Sequence, residues 1–181
     1  MLMPGHHAAV PPYRPPRLFT GRRSIDAALA VWYGACDKSG PPSWGKLSDL
    51  IWYPWFMNLL MVESRHRMKP ARCVKSFPVA TALLGLPMWF GGTLPLDNPQ
   101  TAALSSIVRV VSMRRRPVFK LLPPTSESAG PARRLYVAGM PLADSVSDTA
   151  PYRLERVLFA IVDAEGRAAG TSVDQERHCR A

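Results

Sequence analysis

A chain of 181 residues that is 47% hydrophobic and 20% charged is long and apolar enough to bury one core, which excludes a wholly disordered polypeptide. Three cysteines with no C-x-x-C pair exclude a disulfide framework and a zinc finger. The net charge of +10 rests on 23 basic residues, 18 of them arginine, and implies either a solvated cationic surface or an anionic partner.

Residues 1–22 hold prolines at 4, 11, 12, 15 and 16, and 1–23 carry Arg14, Arg17, Arg22 and Arg23 without an acid. Proline removes amide donors and favours extended chain, so 1–22 reads as a disordered tail with one docking-type stretch, Pro11 to Pro16. The tail lacks the apolar run of a secretory signal, and the chain is expected in the cytoplasm. His6 and His7 read as solvated.

Residues 24–36 are predicted to form a helix, because Ile25, Ala28, Leu29, Trp32 and Cys36 fall on one face. Ser24 is the expected cap, and Gly40-Pro41-Pro42 stops the chain. After Ser43-Trp44 a short helical piece is expected over 47–52. Residues 55–62 are apolar on both phases and read as a buried strand, then a basic turn over 64–70, then a strand over 71–77. In that second strand Cys73, Lys75 and Phe77 are expected on one face, with Arg72, Val74 and Ser76 on the other. The stretch 76–96 has no charge and is long enough to span a bilayer. Pro78, Pro87 and Pro95 would break such a helix repeatedly, so it reads instead as an irregular part of the core. One helical turn is expected over 81–86 and a loop over 87–98.

Asn98 then caps a helix that has Pro99 at its first position and Leu104, Ile107, Val108 and Val111 on its apolar face. Arg114–Arg116 fall in the last turn, where cations complement the dipole, and Pro117 ends it. Strands are expected over 118–122, 134–142 and 156–163, with loops between them. The chain thus divides into a tail (1–22), one domain (23–163) and a second tail (164–181). Strands grouped at both ends with helices between them predict an α+β fold with an antiparallel sheet, not a doubly wound dinucleotide fold.

No G-x-S-x-G elbow, G-x-x-x-x-G-K loop or H-E-x-x-H pair occurs, and Gly91-Gly92 alone makes no phosphate cradle. The 13 carboxylates are scattered, with Asp144 and Asp148 merely sharing a loop, so the chain reads as non-catalytic. Cys36 and Cys73 read as small buried residues. His66, His178 and Cys179 read as solvated, and no metal site is expected.

Several short motifs recur in one order. They are Trp32, Gly40-Pro41-Pro42-Ser43-Trp44, Leu59-Leu60-Met61-Val62-Glu63, Arg115-Arg116-Pro117-Val118, Tyr136 with Met140-Pro141-Leu142-Ala143-Asp144, and Val157-Leu158-Phe159-Ala160. In this order and spacing the chain resembles the PAS-domain family, in a branch of PAS-like proteins common in alphaproteobacteria, over about residues 24–163. It departs from that pattern at Phe77-Pro78, where the family has a glycine-containing turn. The resemblance implies a five-stranded antiparallel sheet with helices on one face and an N-terminal flanking helix. It implies a sensory or regulatory module of signal transduction, binding a small ligand or a protein partner, with a homodimer through the first helix as one mode of action. If a pocket exists, the order of elements makes Leu83, Leu84, Trp89, Phe90, Ile107, Val111 and Tyr136 its expected walls. Haem-binding members offer a histidine from the long middle helix and flavin-adduct members an N-C-R motif; neither occurs, so no cofactor is expected. The alternative reading is a basic surface for nucleic acid or anionic membrane, formed by Arg65, Arg67, Lys69, Arg72, Arg114, Arg115 and Arg116.

Overall fold

The computed structural model describes residues 20–38, 40–48, 57–64, 70–88, 90–124, 133–143 and 155–165. Their order is α1 (Arg23–Ala35), α2 (Trp44–Ser48), β1 (Leu59–Ser64), β2 (Arg72–Ser76), α3 (Pro78–Leu83), β3 (Gly92–Thr93), α4 (Pro99–Arg114), β4 (Val118–Leu121), β5 (Leu135–Pro141) and β6 (Glu155–Asp163). The strands form one antiparallel sheet in the order β3-β2-β1-β6-β5-β4. The strand groups from the two ends of the sequence therefore meet where β1 pairs with β6, and the fold is α+β.

The central strands are apolar on both phases because both faces of the sheet are covered. Leu60, Val62, Leu135, Val137, Val157, Phe159 and Ile161 face α3 and α4, where Leu83, Leu104, Val108 and Val111 complete one cluster. Leu59, Met61, Ala138, Met140, Leu158 and Ala160 face the other way, against Ile25, Ala28, Leu29 and Trp32 of α1 and Leu47 of α2. Helices thus lie on both faces, and α1 spends its apolar side on its own sheet. Gly139 is what lets α4 approach β5: a Cβ there would lie 2.9 Å from both Phe159 Cε1 and Val111 Cγ2.

Some sequence expectations change. The sheet has six strands, not five, because the 87–98 stretch contributes β3: Gly92 pairs with Cys73 and Thr93 with Arg72, and the Leu94 amide donates to Ala71 O at 2.9 Å. The first strand starts later, since Met57 and Asn58 make a 3₁₀ turn in which Asn58 Nδ2 donates to Ile161 O at 2.9 Å. Residues 55 and 56 lie outside the described residues. The helical turn expected at 81–86 begins at Pro78, whose missing N–H costs nothing at a helix start.

The expected faces of β2 are also redrawn. Met61 pairs with Lys75 but Val62 with Cys73, so Val74 is an extra residue in a β-bulge. Cys73 stays on the α4 side. Val74 and Phe77 pack with the α1 side, and Lys75 Nζ lies 4.9 Å over the Trp44 ring. Ser24 is not the cap of α1. Asp26 Oδ1 instead accepts from the Thr20 amide at 2.8 Å and from Thr20 Oγ1 at 2.7 Å, and Thr20 Oγ1 accepts from the Arg22 amide at 3.2 Å. Arg22 Nη1 also donates to Ala164 O at 3.2 Å, so Thr20–Arg22 and Ala164 belong to the folded unit rather than to tails. The rest of both predicted tails, 1–19 and 166–181, lies outside the described residues.

Candidate functional site

Leu83 and Leu84 at the end of α3 and Ile107 and Val111 on α4 come together in the cluster between helices and sheet, with Phe90 packed against it. Trp89 lies outside the described residues. Tyr136 does not join them. Side chains alternate along β5, and Leu135 and Val137 take the helix side. Tyr136 therefore faces the α1 side, stacked on Phe119 (centroids 6.4 Å apart) beneath the Arg22 guanidinium at 4.6 Å. The space between α4 and β5 is occupied by Phe159 and Val111 themselves, as their closeness to Gly139 shows. Cys73 lines the same side; burial pushes its thiol up to about 11, and its Sγ contacts Phe90 O at 3.4 Å. Burial raises Cys36 likewise to about 11, with the neighbouring Asp37 adding to the effect.

The basic residues form no single described patch. Arg72 is exposed on β2, and Arg114, Arg115 and Arg116 are exposed at the end of α4, leading into β4. Four strand spacings separate β2 from β4, about 19 Å at ~4.8 Å each. Arg65, Arg67 and Lys69, with His66, lie outside the described residues, as do Asp144 and Asp148.

Motif residues far apart in sequence converge at one corner. Trp32 Nε1 donates to Pro141 O at 2.8 Å in a buried bond, and the Ala143 amide donates to Pro42 O at 2.9 Å. Arg115 closes the same corner from α4. It ends the helix in the left-handed conformation (φ 50°), its amide donates to Val111 O at 3.0 Å, and its Nη2 would lie 3.7 Å from a Cβ on Gly40. The Arg115 guanidinium thus lies beside the loop that follows α1.

The sequence reading missed the edge of the sheet at β4. Val118 and Leu122 face the α4 cluster, so Lys120 shares that face at its exposed rim. Phe119 and Leu121 face the α1 side, where Phe119 is half-buried and Leu121 51% exposed. The Leu122 amide donates to Leu135 O at 2.7 Å, which sets the phase of the ladder. Residues 118, 120 and 122 turn their backbone groups toward β5, and Phe119 and Leu121 turn theirs outward. Among the described residues no strand pairs with that outer edge, whereas β2 is covered by β3. Gln100, fully buried on α4, fixes both ends of the β4–β5 connection: its Nε2 donates to Pro123 O at 3.2 Å and Arg133 O at 3.0 Å. The signal in the sequence was the alternation Val118-Phe119-Lys120-Leu121, apolar on one phase with a lysine on the other.

Among the described residues no three His, Cys, Asp or Glu side chains are grouped to hold a metal ion, and no helix is long and apolar enough to cross a membrane. No protein-family model matches the chain, and no curated protein matches it.

Proposed function

We propose that the chain is a non-catalytic, PAS-like sensory or regulatory module that binds a small ligand or a protein partner in signal transduction. The observation that carries this reading is the corner at which Trp32, Pro42, Arg115 and Pro141 meet. All four belong to the motifs on which the family resemblance rests, and here they join the flanking helix, the sheet and the long middle helix. A displacement of α4 against β5 would carry the Arg115 guanidinium along the loop that follows α1, the route on which this reading relies. A ligand or partner drives such a displacement only by binding one arrangement more tightly than the other. The sheet order supports the reading too, since the first hairpin lies beside the last strand with α3 and α4 across one face.

Native mass spectrometry of the chain purified gently from its own cells tests it. A retained small molecule or a stoichiometric protein partner is expected. A bare monomer under every condition, or co-purifying nucleic acid alone, would overturn it.

A further inference from the structure

We infer that the open edge of β4 is a docking strand for an extended segment of a partner protein in which acidic and apolar residues alternate. This inference rests on the module reading and names its partner's chemistry. Helices cover both faces of the sheet, and among the described residues no strand pairs with the outer side of β4, the longer of the two terminal strands; the other, β3, is two residues long. The outward N–H and C=O groups of Phe119 and Leu121 form a template that an added strand satisfies with main-chain bonds.

The side chains beside that template specify the occupant. On one face stand half-buried Phe119 and the 51%-exposed Leu121; Tyr136, paired with Leu121, lies beneath the Arg22 guanidinium. The other face presents Lys120, and exposed Arg114 and Arg116 lead into the strand. Successive residues of an added strand point to opposite faces. Apolar residues at alternate positions would cover Phe119 and Leu121, and acidic residues between them would meet Lys120 and the arginines.

A second copy of this chain fits poorly. Antiparallel pairing of β4 with its own copy about Lys120 would set the two Lys120 side chains opposite each other, and like charges directly across a strand pair are destabilising. The occupant is therefore an acidic segment of a different protein.

The probe is a short capped peptide alternating Glu and Val, with a block peptide of the same composition as its control. The readout is amide hydrogen exchange and chemical shift by NMR on the full chain. The alternating peptide is expected to slow exchange at Phe119 and Leu121, and the block peptide to bind far more weakly. Lys120→Glu should weaken binding about fivefold, as one charged cross-strand pair would. Leu121→Ser, at an exposed position, should weaken it while leaving the folded spectrum intact. Absence of slowing at millimolar peptide, equal binding of the block peptide, or binding unchanged in Lys120→Glu would overturn the inference. So would slowing that rises with protein concentration in the absence of peptide, which would mark a self-paired dimer. Peptide failure beside a protein partner in native mass spectrometry removes only the β4 docking. Peptide binding beside a bare monomer removes the module reading and leaves the docking strand.

Discussion

Gly139→Ala tests whether the space between α4 and the sheet is filled by the protein's own side chains. The added Cβ would meet Phe159 Cε1 and Val111 Cγ2 at 2.9 Å. Carbon atoms settle at about 3.5–4.0 Å, so each neighbour must retreat by roughly half an ångström or more. Both residues are fully buried, with little room to yield. Overpacking of this kind costs about 1–3 kcal/mol. Gly139 does not use positive φ, so alanine is allowed by its backbone and stiffens the unfolded chain, returning roughly 0.4–1 kcal/mol. The net expectation is a loss of roughly 1–2 kcal/mol. Urea unfolding followed by tryptophan fluorescence should show a midpoint lower by about 0.5–1 M at a typical m-value. Val111→Ala removes one of the two clashing atoms, so the double variant should lose less than the sum of the two single losses, by about 0.5 kcal/mol or more. An unchanged or higher midpoint for Gly139→Ala, or strict additivity, would show that Phe159 and Val111 move aside freely. The interior would then be loose enough to admit a ligand.

Trp32→Phe keeps most of the buried ring but leaves Pro141 O without its donor, so a loss of about 1–3 kcal/mol is expected in the same urea assay. A loss below about 0.5 kcal/mol would mean that the corner is not held by this bond. For Cys36 and Cys73, folded pKa values of about 11 stand above the ordinary value of 9. The folded state therefore holds more protons in between, and the stability each thiol contributes is complete below pH 9 and is lost as pH rises through 11. Iodoacetamide labelling of a Cys179→Ser chain, read by mass spectrometry, should be slow at neutral pH and climb between those values; rapid labelling of either thiol at neutral pH would refute the assignment.

Helix faces were legible because burial repeats with a fixed period. Ile25, Ala28, Leu29 and Trp32 are buried as their spacing requires, as are Leu104, Ile107, Val108 and Val111. Asn98 with Pro99 marked the start of α4 correctly, and the Asn98 side chain accepts from the Gln100 amide at 2.9 Å. The start of α1 was not legible, since Thr20 reaches Asp26 six residues on, outside the usual capping spacing. The faces of β2 were misread because one bulged residue, Val74, reverses the alternation after it. Two-residue β3 was invisible because its glycine and threonine carry no periodicity and it pairs only through partners far away in the chain. Tyr136 was placed in the pocket from the order of elements, although the parity of Leu135 and Val137 already sends it to the opposite face.

That parity also separates two kinds of surface. Helices cover the central strands of the described sheet on both sides, so recognition by the sheet falls to its edges, where backbone groups join side chains in the contact. The two edges differ. On the other side the terminal strand is β3, whose two residues, Gly92 and Thr93, offer only a short template. At β4 the strand carries only Lys120 as a guard, a device that deters pairing with uncharged or basic strands and admits acidic ones. A charge that protects an edge from self-association can thus be the same charge that selects its partner. Lys120→Gln should separate the two roles: with no like charge left across the self-pair, self-association of the chain should rise, while its affinity for the acidic peptide falls.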